Sequence, residues 1–524
     1  MIAKAKPYVP FAVGFLAMFA VAGSSHTRTP LNFDEGATLS VATRSVSQIL
    51  RLAGHVDAVI TPYYLMLHGI IAVLGSADWV LRLPSLLAMS LGVGVVAEIG
   101  RRVNGFATGV VAGVVCVAVP SLTLHANTAR PYALAFLFAT LSSLLLLAAV
   151  RTPTWWRWAG YAACLVLTGG FHLVALAVLA AHAVIWLVAW RTDRTPGLWR
   201  GVVLGAGALA VLAPLILAGT GQRERQLHWV PEPTVSSAAA IPGDIAFSQP
   251  AGYLLLGLAL AAVLALPWRQ YLEMVTLAAV PAVAALAVSF VAPVWVPRYG
   301  HFLIAPLAVL AAATATSLGA AASLGAAASP GATASPGATA SPGAVSVRSA
   351  TSRRVAMSGA VAAILVLVAL PAHESVRSER RSPDTRAMAW LIHHHAAPGD
   401  VLVYANDFEW SMRPTLTHYL DTLDWPADGR PRPPDVLLDV PAARNYTLKS
   451  LEFDADAGKL DDVPRIWLVG LATGSYGTPA DPLAIPSDKM AYLRERFEVA
   501  RTWTPQSARL ALLVPRREGA DGAS

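Results

Sequence analysis

The chain has 524 residues, of which 55% are hydrophobic and 14% charged, with a formal net charge of +7 and a mean hydropathy of +0.53. Soluble domains carry about a quarter charged residues, so the composition excludes an ordinary soluble enzyme and indicates a polytopic membrane protein. The basic excess is not a nucleic-acid footprint, because the arginines lie in short clusters between apolar runs, and no nucleic acid is expected as a partner.

In chain order, Lys4 and Lys6 precede a first apolar run over 8–23. It resembles a signal sequence, but the small-residue site after it is weak and further spans follow, so it reads as an uncleaved span. The next stretch, 24–79, carries His26-Thr-Arg-Thr-Pro-Leu-Asn-Phe-Asp-Glu-Gly36, with the acidic pair Asp34-Glu35 at the mouth of that span. Further runs of bilayer-crossing length fall at 80–99, 106–123, 132–150, 158–170, 172–190, 201–218, 251–268, 273–292, 301–320 and 356–371. The segment Pro62 to Leu74 is apolar but short. Leaving it out of the count puts Lys4/Lys6, Arg101-Arg102, Arg151/Arg157, Arg191/Arg194/Arg200, Arg269 and Arg348/Arg353/Arg354 on one side, as the positive-inside rule prefers. It is therefore expected to be a helix on the outer surface, bearing His68. The count is about eleven spans, with the N-terminus inside and the C-terminus outside. Cys116 and Cys164 lie within apolar runs and read as small core residues.

Between 321 and 355 the repeated Ser-Pro-Gly-Ala-Thr-Ala composition can bury no core and predicts a flexible cytoplasmic linker. After the last span (356–371), residues 373–524 become charged and proline-rich. Thr385 to His395 patterns as a helix, and Val401–Tyr404, Arg465–Val469 and Leu510–Val514 as strands, which predicts a small extracytoplasmic α/β domain. His393-His394-His395 reads as a surface helix end, since no partner ligands stand at a zinc-type spacing.

Sorted by side, the polar residues gather at the outer mouths: Asp34, Glu35, His55, Asp57, His68, Arg82, His125, Arg130, Tyr132, His172, the 222–229 segment with Arg223, Arg225 and Trp229, and Arg298-Tyr299. Ionisable groups at membrane depth are costly and usually functional. There is no glycine-rich phosphate loop and no P-loop lysine, which argues against a soluble nucleotide donor. A lipid-linked-sugar transporter is a weaker reading, because there is no internal repeat and the acids cluster in one outer loop. A noncatalytic envelope-assembly scaffold is the other alternative.

The order Phe33-Asp-Glu-Gly36, Asp57 ahead of Pro62-Tyr-Tyr-Leu-Met-Leu-His68, Leu81-Arg-Leu-Pro-Ser85, Ala129-Arg-Pro-Tyr-Ala-Leu134, Phe171-His172 and Pro297-Arg-Tyr299 resembles the GT-C superfamily of membrane glycosyltransferases. The likeness covers 8–320, within an expected transmembrane catalytic module of 1–320, and is to the branch of protein O-mannosyltransferases, aminoarabinose lipid A transferases and their actinobacterial relatives. An arginine-rich, lysine-poor composition, with thirty-four arginines against five lysines, is in keeping with an actinobacterial source. The resemblance implies a multi-pass plasma-membrane enzyme whose active site and C-terminal domain face outward. It implies a polyprenyl-phosphate sugar as donor, mannose first and arabinofuranose second. The acceptor would be a glycolipid, polysaccharide or protein, with membrane lipids as surroundings.

By that resemblance Asp34 is the general base, with Glu35 and Asp57 beside it in the catalytic loop; a helix cap is the plain structural alternative for the acidic pair. Arg298, Arg130 and Tyr299 match positions for the donor phosphate, where arginine's planar fork suits phosphate oxygens. His68, Tyr132 and His172 are candidate substrate-binding side chains. The resemblance leaves open a divalent cation between Asp34 and Asp57. The histidine that relatives carry in their His-Pro-Pro motif is missing here, where the chain reads Asp57-Ala-Val-Ile-Thr-Pro62.

Overall fold

A computed structural model describes residues 6–327, 342–378, 382–405, 409–425 and 432–516. It divides into two compact units, Met1–His26 with Arg82–Arg377, and Thr27–Leu81 with Ser378–Ser524.

The first unit is a helical membrane bundle. Among the described residues seven helices are long and apolar enough to cross a bilayer: Asp78–Asn104, Tyr132–Arg151, Leu173–Thr192, Trp199–Leu227, Trp268–Val291, His301–Leu318 and Gly359–Val376. Two more expected spans are bent pairs. Phe106–Ala118 and Pro120–Ala126 meet at 74°, and Val235–Ala246 and Gln249–Leu264 at 96°. Each break has a local cause: Pro120 and Pro250 occupy the first turn of the second helix, where proline is tolerated but cannot donate back to the preceding turn. The remaining two, Val9–Gly23 with 15 residues and Trp155–Phe171 with 17, are shorter helices. The eleven expected segments are thus all helical, and the protein is a multi-pass membrane protein. The expected linker is narrower than its composition implied: helices reach Ala327 and resume at Pro342, and the repeat between them lies outside the described residues.

At one end of this bundle the arginines are neutralised by partners. Arg101 and Arg102 each stand 2.6 Å from Glu98, Arg151 stands 2.6 Å from Glu273, and Arg269 stands 2.5 Å from Asp193. Exposed pairs of this kind contribute little each, but together they tie the 151, 193 and 269–273 turns at a common end.

The second unit joins the first loop to the tail. The tail holds a four-stranded sheet in the order β1-β4-β6-β5, formed by Val401–Tyr404 (β1), Ile466–Leu471 (β4), Phe497–Trp503 (β5) and Ala508–Pro515 (β6). A separate ribbon pairs Leu438–Val440 (β2) with Leu451–Glu452 (β3). β1 runs parallel to β4 and the other pairs are antiparallel. β1 and β4 are buried along their whole length, as the unbroken apolar runs predict. The Thr385–His395 helix and β1 lie where expected, and the other two expected strands extend by a residue or two.

The loop folds onto this tail as three helices, Phe33–Ala42, Val46–Ala53 and Thr61–Leu74. The Ser411 hydroxyl donates to the Phe33 carbonyl at 2.9 Å, and the Leu31 amide donates to Tyr419 at 2.9 Å. Arg386 bridges to Asp78 at 2.7 Å, and Tyr419 donates to the same carboxylate at 2.9 Å. Gly36 is where the two helices touch: a Cβ there would stand 2.7 Å from the Ser411 carbonyl oxygen, closer than van der Waals contact allows. Gly36→Ala is therefore expected to push the Glu409–Asp421 helix away and lower stability by about 1–3 kcal/mol, the usual cost of overpacking. A fall in the thermal midpoint of the purified protein checks this, and an unchanged midpoint overturns it.

Candidate active site

In the loop, the sequence Asn32-Phe-Asp-Glu sets a capping box. Asn32 accepts the Glu35 amide at 3.0 Å, and the Glu35 carboxylate accepts the Asn32 amide at 3.0 Å, satisfying two orphan donors of the helix start. The helix therefore begins at Phe33, and its cap is Asn32 and not Asp34. Glu35 is fully buried in this box. Asp34, one residue earlier, is half-buried in the first turn, and no described side chain hydrogen-bonds its carboxylate. The acidic pair is thus split by geometry: one carboxylate is committed to the backbone, and its neighbour is available.

Asp57 takes a left-handed conformation with φ 58°, a region asparagine and aspartate tolerate better than most residues. Its carbonyl accepts the amides of Ile60 and Thr61, and its carboxylate accepts the Tyr64 hydroxyl at 2.8 Å. His68 lies on the Thr61–Leu74 helix with Nδ1 3.0 Å from the Ala42 carbonyl oxygen. The ring thus donates there and holds this helix to Phe33–Ala42. The expected helix is present, and His68 has a packing duty in it. Tyr64→Phe removes the hydrogen bond to the Asp57 carboxylate while keeping the ring, and is expected to change transfer activity less than about tenfold, on the scale of one hydrogen bond. A larger loss of kcat would show that the Asp57–Tyr64 pair enters the chemistry itself.

In the membrane bundle the other candidates converge. Tyr132 is 5.7 Å from His172 and 6.1 Å from Tyr299, measured between ring centroids, and His172 is 4.6 Å from Tyr299. Two histidines in apolar runs complete the cluster: His125, 5.0 Å from Tyr132, and His301, 4.9 Å from His125. The sequence placed His125 at an outer mouth without a role and gave His301 none. The one signal available for His301 was its place two residues after Arg298-Tyr299. The Arg298 guanidinium lies over the Trp229 ring at 5.4 Å and the Tyr299 ring at 5.7 Å, which fixes its plane by cation–π contact. Nδ1 of His125 and Nδ1 of His172 are buried and have no hydrogen-bond partner among the described residues.

The motif Leu81-Arg-Leu-Pro-Ser85 acts on the same region through the backbone. Buried Arg82 donates to the His26 carbonyl at 2.9 Å, and the Ser85 hydroxyl donates to the Arg130 carbonyl at 3.2 Å. Asn127 ties the first span to this turn, donating to the Ala22 carbonyl at 3.0 Å. Arg130, half-buried, is thereby seated in the turn just before Tyr132.

Among the described residues no three His, Cys, Asp or Glu side chains gather as metal ligands.

This helical bundle with a tail domain has solved counterparts. The crystal structure of ArnT from Cupriavidus metallidurans in the apo state superposes with a TM-score of 0.57 at 16% identity, covering 98% of this chain and 98% of that one. The chain has the GT-C fold. ArnT from the same organism bound to undecaprenyl phosphate superposes with a TM-score of 0.53 at 16% identity, over 96% of this chain and 97% of that one. The sequence pattern of the family described as dolichyl-phosphate-mannose-protein mannosyltransferase matches residues 61–217. No curated protein sequence matches the chain. At this identity the GT-C likeness speaks for the fold, so the roles of single residues rest on their geometry here.

Proposed function

We propose that this protein is a glycosyltransferase of the GT-C superfamily. It moves a sugar from a polyprenyl-phosphate donor to a cell-envelope acceptor at the outer face of the plasma membrane, with inversion at the anomeric carbon. The observation that carries the reading is the split acidic pair: Glu35 spent on the helix cap, Asp34 beside it with its carboxylate unengaged.

In the proposed step the acceptor hydroxyl oxygen bonds to C1 as the C1–O bond to phosphate breaks. Asp34 takes the hydroxyl proton, and polyprenyl phosphate leaves with the bonding pair. General base catalysis of this kind is worth about 10²–10⁴-fold. Arg298 and Arg130 supply fixed positive charge for the phosphate, whose negative charge grows as it departs. Tyr132, Tyr299, His125 and His172 line the donor, with the unpartnered histidine nitrogens as hydrogen-bonding points for its hydroxyls or phosphate. The arginine-rich end of the bundle faces the cytoplasm by the positive-inside rule, which turns the histidine and arginine cluster outward.

Mannose is the first donor sugar to test, in line with the family description matched at 61–217, and arabinofuranose the second. The test is a panel of polyprenyl-phosphate sugars offered to purified protein in lipid, with linkage analysis of the product. Transfer from one member, at an inverted centre, is the expected result. Failure with every polyprenyl-phosphate sugar overturns the reading, and transbilayer movement without a new glycosidic bond replaces it with a transporter.

A further inference from the structure

His301 occupies an unusual position for a membrane-embedded histidine. It is 1% exposed, and both ring nitrogens face carbonyl oxygens: Nε2 stands 2.6 Å from that of Tyr132, and Nδ1 stands 2.8 Å from that of Arg298. Carbonyls only accept, so the ring is the donor on whichever edge carries a hydrogen. The two carbonyls belong to segments 169 residues apart. One is the first turn of the Tyr132–Arg151 helix, entered from Arg130. The other is the short helical turn Pro297–Tyr299 that carries Arg298. The ring stacks on Phe136 at 5.9 Å with an interplanar angle of 23° and meets Tyr132 edge-on at 6.1 Å.

We propose that His301 is a positioning residue that clips the Arg298 turn to the Arg130–Tyr132 turn, setting the guanidinium where it can hold the phosphate of a polyprenyl phosphate. The proposal rests on the glycosyltransferase reading above. His301 itself does not touch the phosphate; it acts through the backbone of the residue that does. Trp229 and Tyr299 fix the plane of the guanidinium, and His301 fixes the height of the turn beneath it. A buried side chain with two acceptors and a stacked ring has few other duties at this place.

The test is the affinity of the purified, lipid-reconstituted protein for undecaprenyl monophosphate, read in wild type, His301→Ala, His301→Gln, Arg298→Ala and the double variant His301→Ala/Arg298→Ala. Losing the clip is expected to weaken Kd about 10–100-fold, the scale of one or two hydrogen bonds. His301→Gln, which keeps a donor, recovers part of that loss. In the Arg298→Ala background His301→Ala adds nothing further, because a residue acting through Arg298 cannot act without it. Unchanged binding in both single His301 variants overturns the proposal. So does a loss that adds in full to that of Arg298→Ala, since purely structural damage would behave so. Thermal unfolding identifies a variant that fails to fold, and His301→Gln then decides the outcome. A wild-type protein that binds no undecaprenyl monophosphate removes the underlying functional reading instead, which is a separate result.

Discussion

Asp34→Asn is expected to lower the transfer rate by about 10²–10⁴-fold while the protein inserts, folds and melts as wild type. The substitution keeps shape and removes only the ability to take a proton. Asp34 lies in the first turn of Phe33–Ala42 without being its cap, so the capping box of Asn32 and Glu35 survives. The loss of a helix-terminal charge costs only about 0.3–1 kcal/mol, too little to unfold the loop. Glu35→Gln is the matched control. Glutamine still offers an oxygen to the Asn32 amide, so the box persists and activity is expected to fall less than tenfold. Measured kcat in the two variants decides between them. If Glu35→Gln inactivates and Asp34→Asn does not, the assignment of the base is reversed. If both retain activity, neither carboxylate is the base.

The membrane bundle was legible because bilayer-length apolar runs are a property of composition, and all eleven runs are helical. Where the reading stopped, the cause was long-range packing. Nothing local announces that Arg386 pairs with Asp78, 308 residues away, or that Gly36 is a glycine because Ser411 lies against it. The first loop therefore read as part of the membrane module, whereas its contacts group it with the tail. The tail's helix and β1 were readable from amphipathic and apolar patterning, but the order β1-β4-β6-β5 was not, since pairing depends on which edges meet. Among the candidate residues, Tyr132, His172 and Tyr299 were named through motif order, and the structure brings their rings together. His125 and His301 escaped because a histidine in an apolar run gives no sequence cue to its partners. Trp229 was noticed in its segment, but its contact with Arg298 required the fold.

Arg298→Lys is the second large effect expected, a fall in kcat/KM for the polyprenyl-phosphate sugar of about 10²–10³-fold with the charge retained. A lysine ammonium is a point charge and cannot present two parallel donors to phosphate oxygens, which forfeits about 1.5–3 kcal/mol for a charged hydrogen bond. It also loses most of the stacking that aligns the group between Trp229 and Tyr299, worth about 0.5–2 kcal/mol. Each 1.4 kcal/mol is a factor of ten, and the stated range lies at the centre of the roughly 30- to 4,000-fold that the two terms span. The loss divides between KM and kcat, because the phosphate already carries charge in the bound donor and gains more as it leaves. Trp229→Ala removes the stacking alone and is expected to cost about 2–30-fold by the same cation–π energy. The pair should be coupled: in Arg298→Lys, Trp229→Ala does less damage than it does in wild type, because the planar group it supports is gone. Fully independent effects would mean that the tryptophan serves the acceptor and not the arginine. A lysine variant with wild-type kcat/KM would show that the phosphate is held elsewhere, with Arg130 the next residue to test.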